Sequence, residues 1–173
     1  ILRASMQVDL FDPEMPDAWQ QGFYMRPSDK KMLMKSDYLR KEAELYIDYI
    51  SKGDDVSANQ FMSKTIKDVN GGSAYLNTWV YEQTKALLDK DKLVGVLGGD
   101  HSVPLGFFKA IGEKHGDFGI LQIDAHCDLR DTYEGFNYPH ASIMYNALNE
   151  VPQIRKLVQV GPRDFSQTES NYI

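Results

Sequence analysis

Three short apolar runs constrain most strongly what this chain can fold into. Leu93-Val94-Gly95-Val96-Leu97, Phe118-Gly119-Ile120-Leu121-Gln122-Ile123 and Lys156-Leu157-Val158-Gln159-Val160-Gly161 are each flanked by turn-forming or polar residues. They are too short for stable helices, and their aliphatic, partly β-branched content suits strands buried on both faces. Between them, Pro104 opens a helix that runs through about Lys114, and residues 141–149 read as another. Strands alternating with helices imply βαβ units and a mainly parallel sheet covered on both faces. The fold class expected is therefore α/β, in three layers.

Upstream of the first run the texture is helical. Leu39, Ala43, Tyr46, Ile47 and Ile50 recur at helical spacing, and Gly53 ends the stripe. A second helix is expected over 55–69, stopped by Asn70-Gly71-Gly72, and a third from Ser73 to Leu88 with Leu76, Val80 and Leu87 facing inward. Residues 1–35 carry Pro13, Pro16 and Pro27 among aspartates and aromatics, and read as irregular covering structure.

The 173 residues, 42% hydrophobic and 25% charged, suit one domain over 1–173. A net charge of −6 and the lack of any Lys/Arg-rich run argue against nucleic acid or an anionic membrane as partner. No apolar stretch approaches the ~20 residues that span a bilayer. Cys127, the single cysteine, excludes an internal disulfide and favours a reducing, cytoplasmic setting. The chain opens at Ile1 without Met and stops at Ile173 just after the start of a helix, so both ends read as cuts within a larger domain.

The chemistry sits where two of these strands end. Gly98-Gly99-Asp100-His101-Ser102 follows one and Asp124-Ala125-His126-Cys127-Asp128 follows the other. Open parallel sheets bind ligands outside the carboxyl ends of their strands. If the chain stays extended, Asp124, His126 and Asp128 leave on one face while Ala125 and Cys127 leave on the other. Two carboxylates and an imidazole at a buried strand end repel and desolvate one another unless a cation joins them. His101 brings a second imidazole, with Gly98 and Gly99 permitting a tight turn before it. An oxygen-rich set without thiolate suits Mn²⁺, or Fe, Co or Zn, better than a structural cysteine site. The competing account makes these residues strand-end caps and loop salt bridges. Cys127 reads as a packed small residue. His115 reads as a helix-end cation without a catalytic role.

Taken with Tyr133-Glu134-Gly135 and His140-Ala141-Ser142, the two strand-end motifs resemble the ureohydrolases: arginase, agmatinase and their relatives. Ile1 to Ser5 is similar to that family's early helix, and Val158 to Arg163 to its later strand. The resemblance implies an arginase-like α/β/α fold with two Mn²⁺ ions, His101 and Asp128 on one, His126 on the other and Asp124 between them. It further implies that a metal-bridging hydroxide attacks the guanidinium carbon and releases urea, with Asp128 orienting it. His140 matches the family's mobile histidine, which would pass a proton to the leaving amine. Tyr138 stands where arginases place an asparagine that reads the amino acid's charged end, so the pattern looks more like agmatinase. Asp131, Tyr133 and Glu134 would then line the entrance for a small cationic guanidino substrate; the alternative leaves them as solvent-facing loop residues.

The same resemblance implies a homo-oligomer, a trimer or hexamer. The family's second carboxylate motif, Asp-x-Asp at the end of a strand, does not occur after Asp128, and Asp164 and Glu169 sit in the wrong context to replace it. The segment alone is therefore expected to be inactive or weakly metal-binding. Arginase, formimidoylglutamase, guanidino-acid hydrolase and a non-catalytic relative are the alternatives within the family.

Overall fold

A computed structural model describes residues 2–173, and it divides into two compact units, Ile1–Met34 and Lys35–Ile173. In the first unit α1 (Leu2–Ser5) and a 3₁₀ turn (Ala18–Gln21) interrupt irregular chain. Asp9, Asp12, Asp17 and Asp29 side chains accept hydrogen bonds from groups two or three residues on, the habit by which short acidic side chains stabilise turns. Leu2–Ser5 is helical, and Ile1 lies outside the described residues.

Two long helices follow. Helix α2 (Lys30–Ser51) starts nine residues before its apolar stripe at Leu39, because Asp29 Oδ1 accepts from the Lys31 and Met32 N–H groups and caps the helix there. Helix α3 (Gln60–Leu88) is one element of 29 residues where the sequence reads as two. Asn70-Gly71-Gly72 does not stop it. Each glycine costs a helix about 1 kcal/mol, but Gly72 is buried where a Cβ would run into Leu39 of α2, so close packing repays that cost. Asn70 has a separate task. Its amide accepts from Asn137 N–H (2.9 Å) and donates to Gly135 O (3.1 Å), tying the 133–137 loop to α3.

The expected strand at Leu93–Leu97 does not form. Its residues make no ladder hydrogen bond among the described residues, and Leu93, Val96 and Leu97 are exposed. An apolar run favours burial, but a strand exists only through pairing, and that information is not local. The chain passes instead through Gly98-Gly99 into α4 (Leu105–His115). Helices α3 and α4 cross at Gly106, where an added Cβ would lie 2.1 Å from Asn77 O and 2.7 Å from Tyr81 N.

The other elements form as expected: β1 (Phe118–Ile123), α5 (Ile143–Glu150, entered through a 3₁₀ turn at His140–Ser142), β2 (Ile154–Val160) and α6 (Gln167–Tyr172). Strands β1 and β2 pair in parallel, with Ile120 opposite Leu157 and Gln122 opposite Gln159. On that face Ile120 and Leu157 pack on a core of Leu105, Cys127, Leu129, Ile143, Met144 and Ala147. The opposite face, with Leu121, Ile123, Val158 and Val160, is exposed in the described residues. The β1–α5–β2 unit and its helices make this an α/β domain in part, as expected. No helix is long and apolar enough to cross a membrane among the described residues.

Candidate metal centre

Beyond Ile123 the chain leaves the ladder and carries its carboxylates inward. Asp124 is still held by β2, since its N–H donates to Val160 O (3.1 Å). Its Oδ1 accepts from the His126 backbone N–H at 2.8 Å, which folds the next residues into a tight bend. At Asp128 the backbone turns left-handed, with φ of +54°. Aspartate tolerates that conformation better than most side chains. The turn aims the Asp128 carbonyl at the start of α5, where it accepts the Met144 and Tyr145 N–H groups, and leaves the carboxylate buried on the other side.

His101 arrives from a separate loop. Asp100 Oδ1 accepts from the Ser102 N–H (2.8 Å) and from its hydroxyl, so the aspartate in Gly-Gly-Asp-His-Ser builds the turn that presents the imidazole. His101 Nδ1 then lies 2.5 Å from Asp128 Oδ2 and 3.3 Å from Asp124 Oδ2. The three residues form a group whose donor atoms all lie within 4.8 Å of one another. A cleft of about 470 Å³ lined by Asp100, His101, Gln122 and Ile123 adjoins it.

The electrostatics follow from that geometry. The hydrogen bond to Asp128 raises the His101 imidazole above its ordinary range; burial opposes this, while the Asp128, Asp124 and Asp100 charges add to it. Burial pushes the Asp124 carboxyl up, but hydrogen bonds from the His126 backbone, Gln122 and the His126 ring, with the nearby His101, bring it below the usual carboxylate range. Adjacent ligand atoms around an octahedral divalent ion at ~2.1 Å stand ~3 Å apart. The His101–carboxylate spacings are close to that, and an imidazole with two carboxylates and no thiolate is a set that fits a hard divalent cation.

Not every expected residue joins the cluster. His126 touches it only through Asp124, its Nδ1 at 3.2 Å from Asp124 Oδ1, and its ring is largely exposed. The one-face alternation expected for Asp124, His126 and Asp128 is broken by the bend and by the left-handed Asp128. Cys127 is packed in the core as expected, 1% exposed. His140 opens the 3₁₀ turn and is exposed. Tyr133 and Phe136 close a two-residue turn whose centre, Glu134 and Gly135, has φ of +55° and +83°. The Arg130 guanidinium lies over the Tyr133 ring at 4.8 Å. No hydrogen bond or ion pair among the described residues links Asp131, Glu134 or His140 to the cluster.

Other residues emerge that the motifs did not single out as parts of the site. Glu169, 3% exposed, accepts from the Leu129 N–H (3.1 Å) through Oε1, and from the Ser166 N–H and hydroxyl (2.8 Å each) through Oε2. Arg130 Nε lies 3.5 Å away. Glu169 is therefore an anchor for the residue after Asp128, and burial, which raises its carboxyl, is outweighed by those hydrogen bonds and by Arg130, which hold it below the usual range. Ser166 and Glu169 form a capping box at the start of α6, and the same carboxylate reaches 40 residues back to Leu129. Asp164 meets the 124–128 loop through its backbone, donating from N–H to Ala125 O (3.2 Å).

The sequence and the fold match known proteins. A family model described as the Arginase family covers residues 31–173. Arginase 1, mitochondrial, of Arabidopsis thaliana is 36% identical over 104 residues, which is 59% of this chain and 30% of that protein. The N(1)-aminopropylagmatine ureohydrolase of Thermus thermophilus is 44% identical over 85 residues, 49% of this chain and 28% of that one. Among solved structures, an arginase from Medicago truncatula aligns with a TM-score of 0.53 at 34% identity, covering 61% of this chain and 35% of its own. The chain thus spans about a third of the length of these relatives. Since the matched segment contains both strands and every residue of the His101–Asp124–Asp128 cluster, this chain belongs to the arginase family.

Proposed function

We propose that the protein to which this chain belongs is a manganese-dependent amidinohydrolase that releases urea from a guanidino substrate, with agmatine, yielding putrescine, as the preferred one. The observation that carries the reading is the convergence of His101 Nδ1 on Asp128 Oδ2 and Asp124 Oδ2 at 2.5 and 3.3 Å. Two Mn²⁺ ions, when bound, supply a water acidified enough to act as nucleophile near neutral pH, together with charge stabilisation. His101, Asp124, His126 and Asp128 are the groups that would hold them. Four donors are too few for two six-coordinate ions, so water or other protein groups complete the shells.

This chain's residues contribute more than ligation. The buried Asp128 carboxylate is fixed at both ends, by its left-handed backbone and by His101, and would orient the attacking water by accepting its hydrogen bond. A guanidinium is a poor electrophile with a poor leaving group, so the departing amine needs a proton. His140 is an exposed imidazole that opens a short turn, and would deliver it.

Agmatine is favoured over arginine because Tyr138 stands where an arginase places its amino-acid-reading asparagine. Tyr138 packs against the hydrophobic core and offers no amide there. The exposed Asp131 and Glu134 add negative charge to the loop that an amine would approach.

Urea release by the whole protein with Mn²⁺, measured against agmatine, arginine and shorter guanidino acids, tests the proposal. Turnover of agmatine well above the others is expected. No urea from any substrate refutes the activity, and a preference for arginine refutes the reading of Tyr138.

A further inference from the structure

The inner face of the sheet breaks its own pattern one residue before the metal loop. Along β1, Phe118 and Ile120 pack against the core, and Gln122 takes the next inward position. Gln159 takes the matching position on β2, directly opposite in the parallel register. Gln122 is 4% exposed. An amide buried without partners is costly, so two facing amides on a core surface must find their hydrogen bonds somewhere.

They go to the metal loop. Gln159 Nε2 donates to Gln122 Oε1 (2.7 Å) and to the Cys127 carbonyl (2.7 Å). Gln122 Nε2 donates to the His126 carbonyl (3.3 Å). His126 and Cys127 are the residues whose carbonyls lose a regular ladder when β1 ends at Ile123. They are also the link between Asp124 and the left-handed Asp128. Each strand therefore sends one amide under this link, and the two amides bond to each other.

We propose that the Gln122–Gln159 pair is a positioning element for the metal centre, fixing the 124–128 backbone so that both carboxylates face His101 before an ion arrives. The proposal rests on the reading that this cluster binds a metal. Groups that orient metal ligands typically change affinity by about 10- to 100-fold when removed. A purely structural pair would lower the stability of the metal-free protein and leave its affinity for the ion in place.

The test uses the whole protein stripped of metal. Mn²⁺ is titrated in and the free ion followed by electron paramagnetic resonance, while circular dichroism gives the Tm of the stripped form. Gln159→Met keeps the volume and removes both donors. It is expected to weaken Mn²⁺ binding by about 10- to 100-fold. Gln122→Met should do the same, and the double variant should be little worse than either single one, because the amides act as one unit. Gln159→Asn keeps an amide but is one methylene too short to reach Cys127, so it serves if the Met variant does not fold, and it too should lose affinity.

Wild-type affinity in folded Gln159→Met or Gln159→Asn protein overturns the proposal, as do losses that simply add in the double variant. Failure of the wild-type protein to take up Mn²⁺ overturns the metal reading and the inference together. Wild-type binding with unchanged variants removes the inference alone.

Discussion

Removing the Glu169 carboxylate should destabilise this chain more than a change at an ordinary surface position. In Glu169→Ala, the Leu129 N–H, at a residue 4% exposed, loses its acceptor. A buried unsatisfied donor costs about 1–3 kcal/mol. The capping box at Ser166 is lost as well, worth about 1 kcal/mol. The Arg130 contact adds under about 1 kcal/mol, because the Arg130 side chain is 36% exposed and the separation is 3.5 Å. The sum is roughly 3 kcal/mol, which at ~2–4 °C per kcal/mol for a chain of this size lowers Tm by about 6–12 °C. Thermal unfolding followed by circular dichroism at pH 7 measures it. The pH dependence supplies a second check. Because the folded-state pKa of Glu169 is depressed, its ionised form stabilises the fold above its unfolded pKa of about 4.3, and the contribution disappears as pH falls through the lower folded value. The gap in Tm between wild type and Glu169→Gln should therefore be present at pH 7 and close in acid below pH ~4. A Glu169→Ala protein within ~2 °C of wild type at pH 7 would refute the anchoring role.

Other outcomes follow from the same geometry. Gly106→Ala places a Cβ against the Asn77 carbonyl and Tyr81 nitrogen of α3, and should cost at least ~2 kcal/mol by chemical denaturation despite the better helix propensity of alanine. His101→Ala, Asp124→Ala and Asp128→Ala should each lose bound metal as well as rate, with Asp124→Ala losing most since its two oxygens face both imidazoles; full metal stoichiometry by elemental analysis in all three would remove the centre. Glu134→Asn keeps a residue suited to φ of +55° while deleting the charge, and should raise KM for agmatine; unchanged KM and kcat would take Glu134 out of the substrate site.

Local physics explains which features could be read from sequence. Phe118–Ile123 and, from Lys156 on, the strand Ile154–Val160 are legible because they are short apolar runs bracketed by turn residues, and a βαβ unit made of neighbours in sequence carries its own pairing information. The equally apolar Leu93–Leu97 was misleading because its pairing depends on a partner that composition does not encode. Asn70-Gly71-Gly72 misled in the other direction: helix-breaking residues stay helical when one glycine admits Leu39 and the asparagine binds a distant loop. At the site, the residue types at the strand ends pointed to the cluster, and His101, Asp124 and Asp128 do meet. The simple alternation that would have added His126 does not survive the bend at Asp124 and the left-handed Asp128. The roles of Gln122, Gln159 and Glu169 are not legible locally, because they lie in contacts 4 to 40 residues away in sequence.

The proposed function requires His101, Asp124 and Asp128 to hold a divalent metal. Diffraction data collected at the manganese absorption edge, from crystals of the whole protein grown with Mn²⁺, test it most directly. An anomalous peak within coordination distance of His101 Nδ1 and of both carboxylates is the expected result. Manganese bound elsewhere in the crystal, with no peak touching these three side chains, would contradict it.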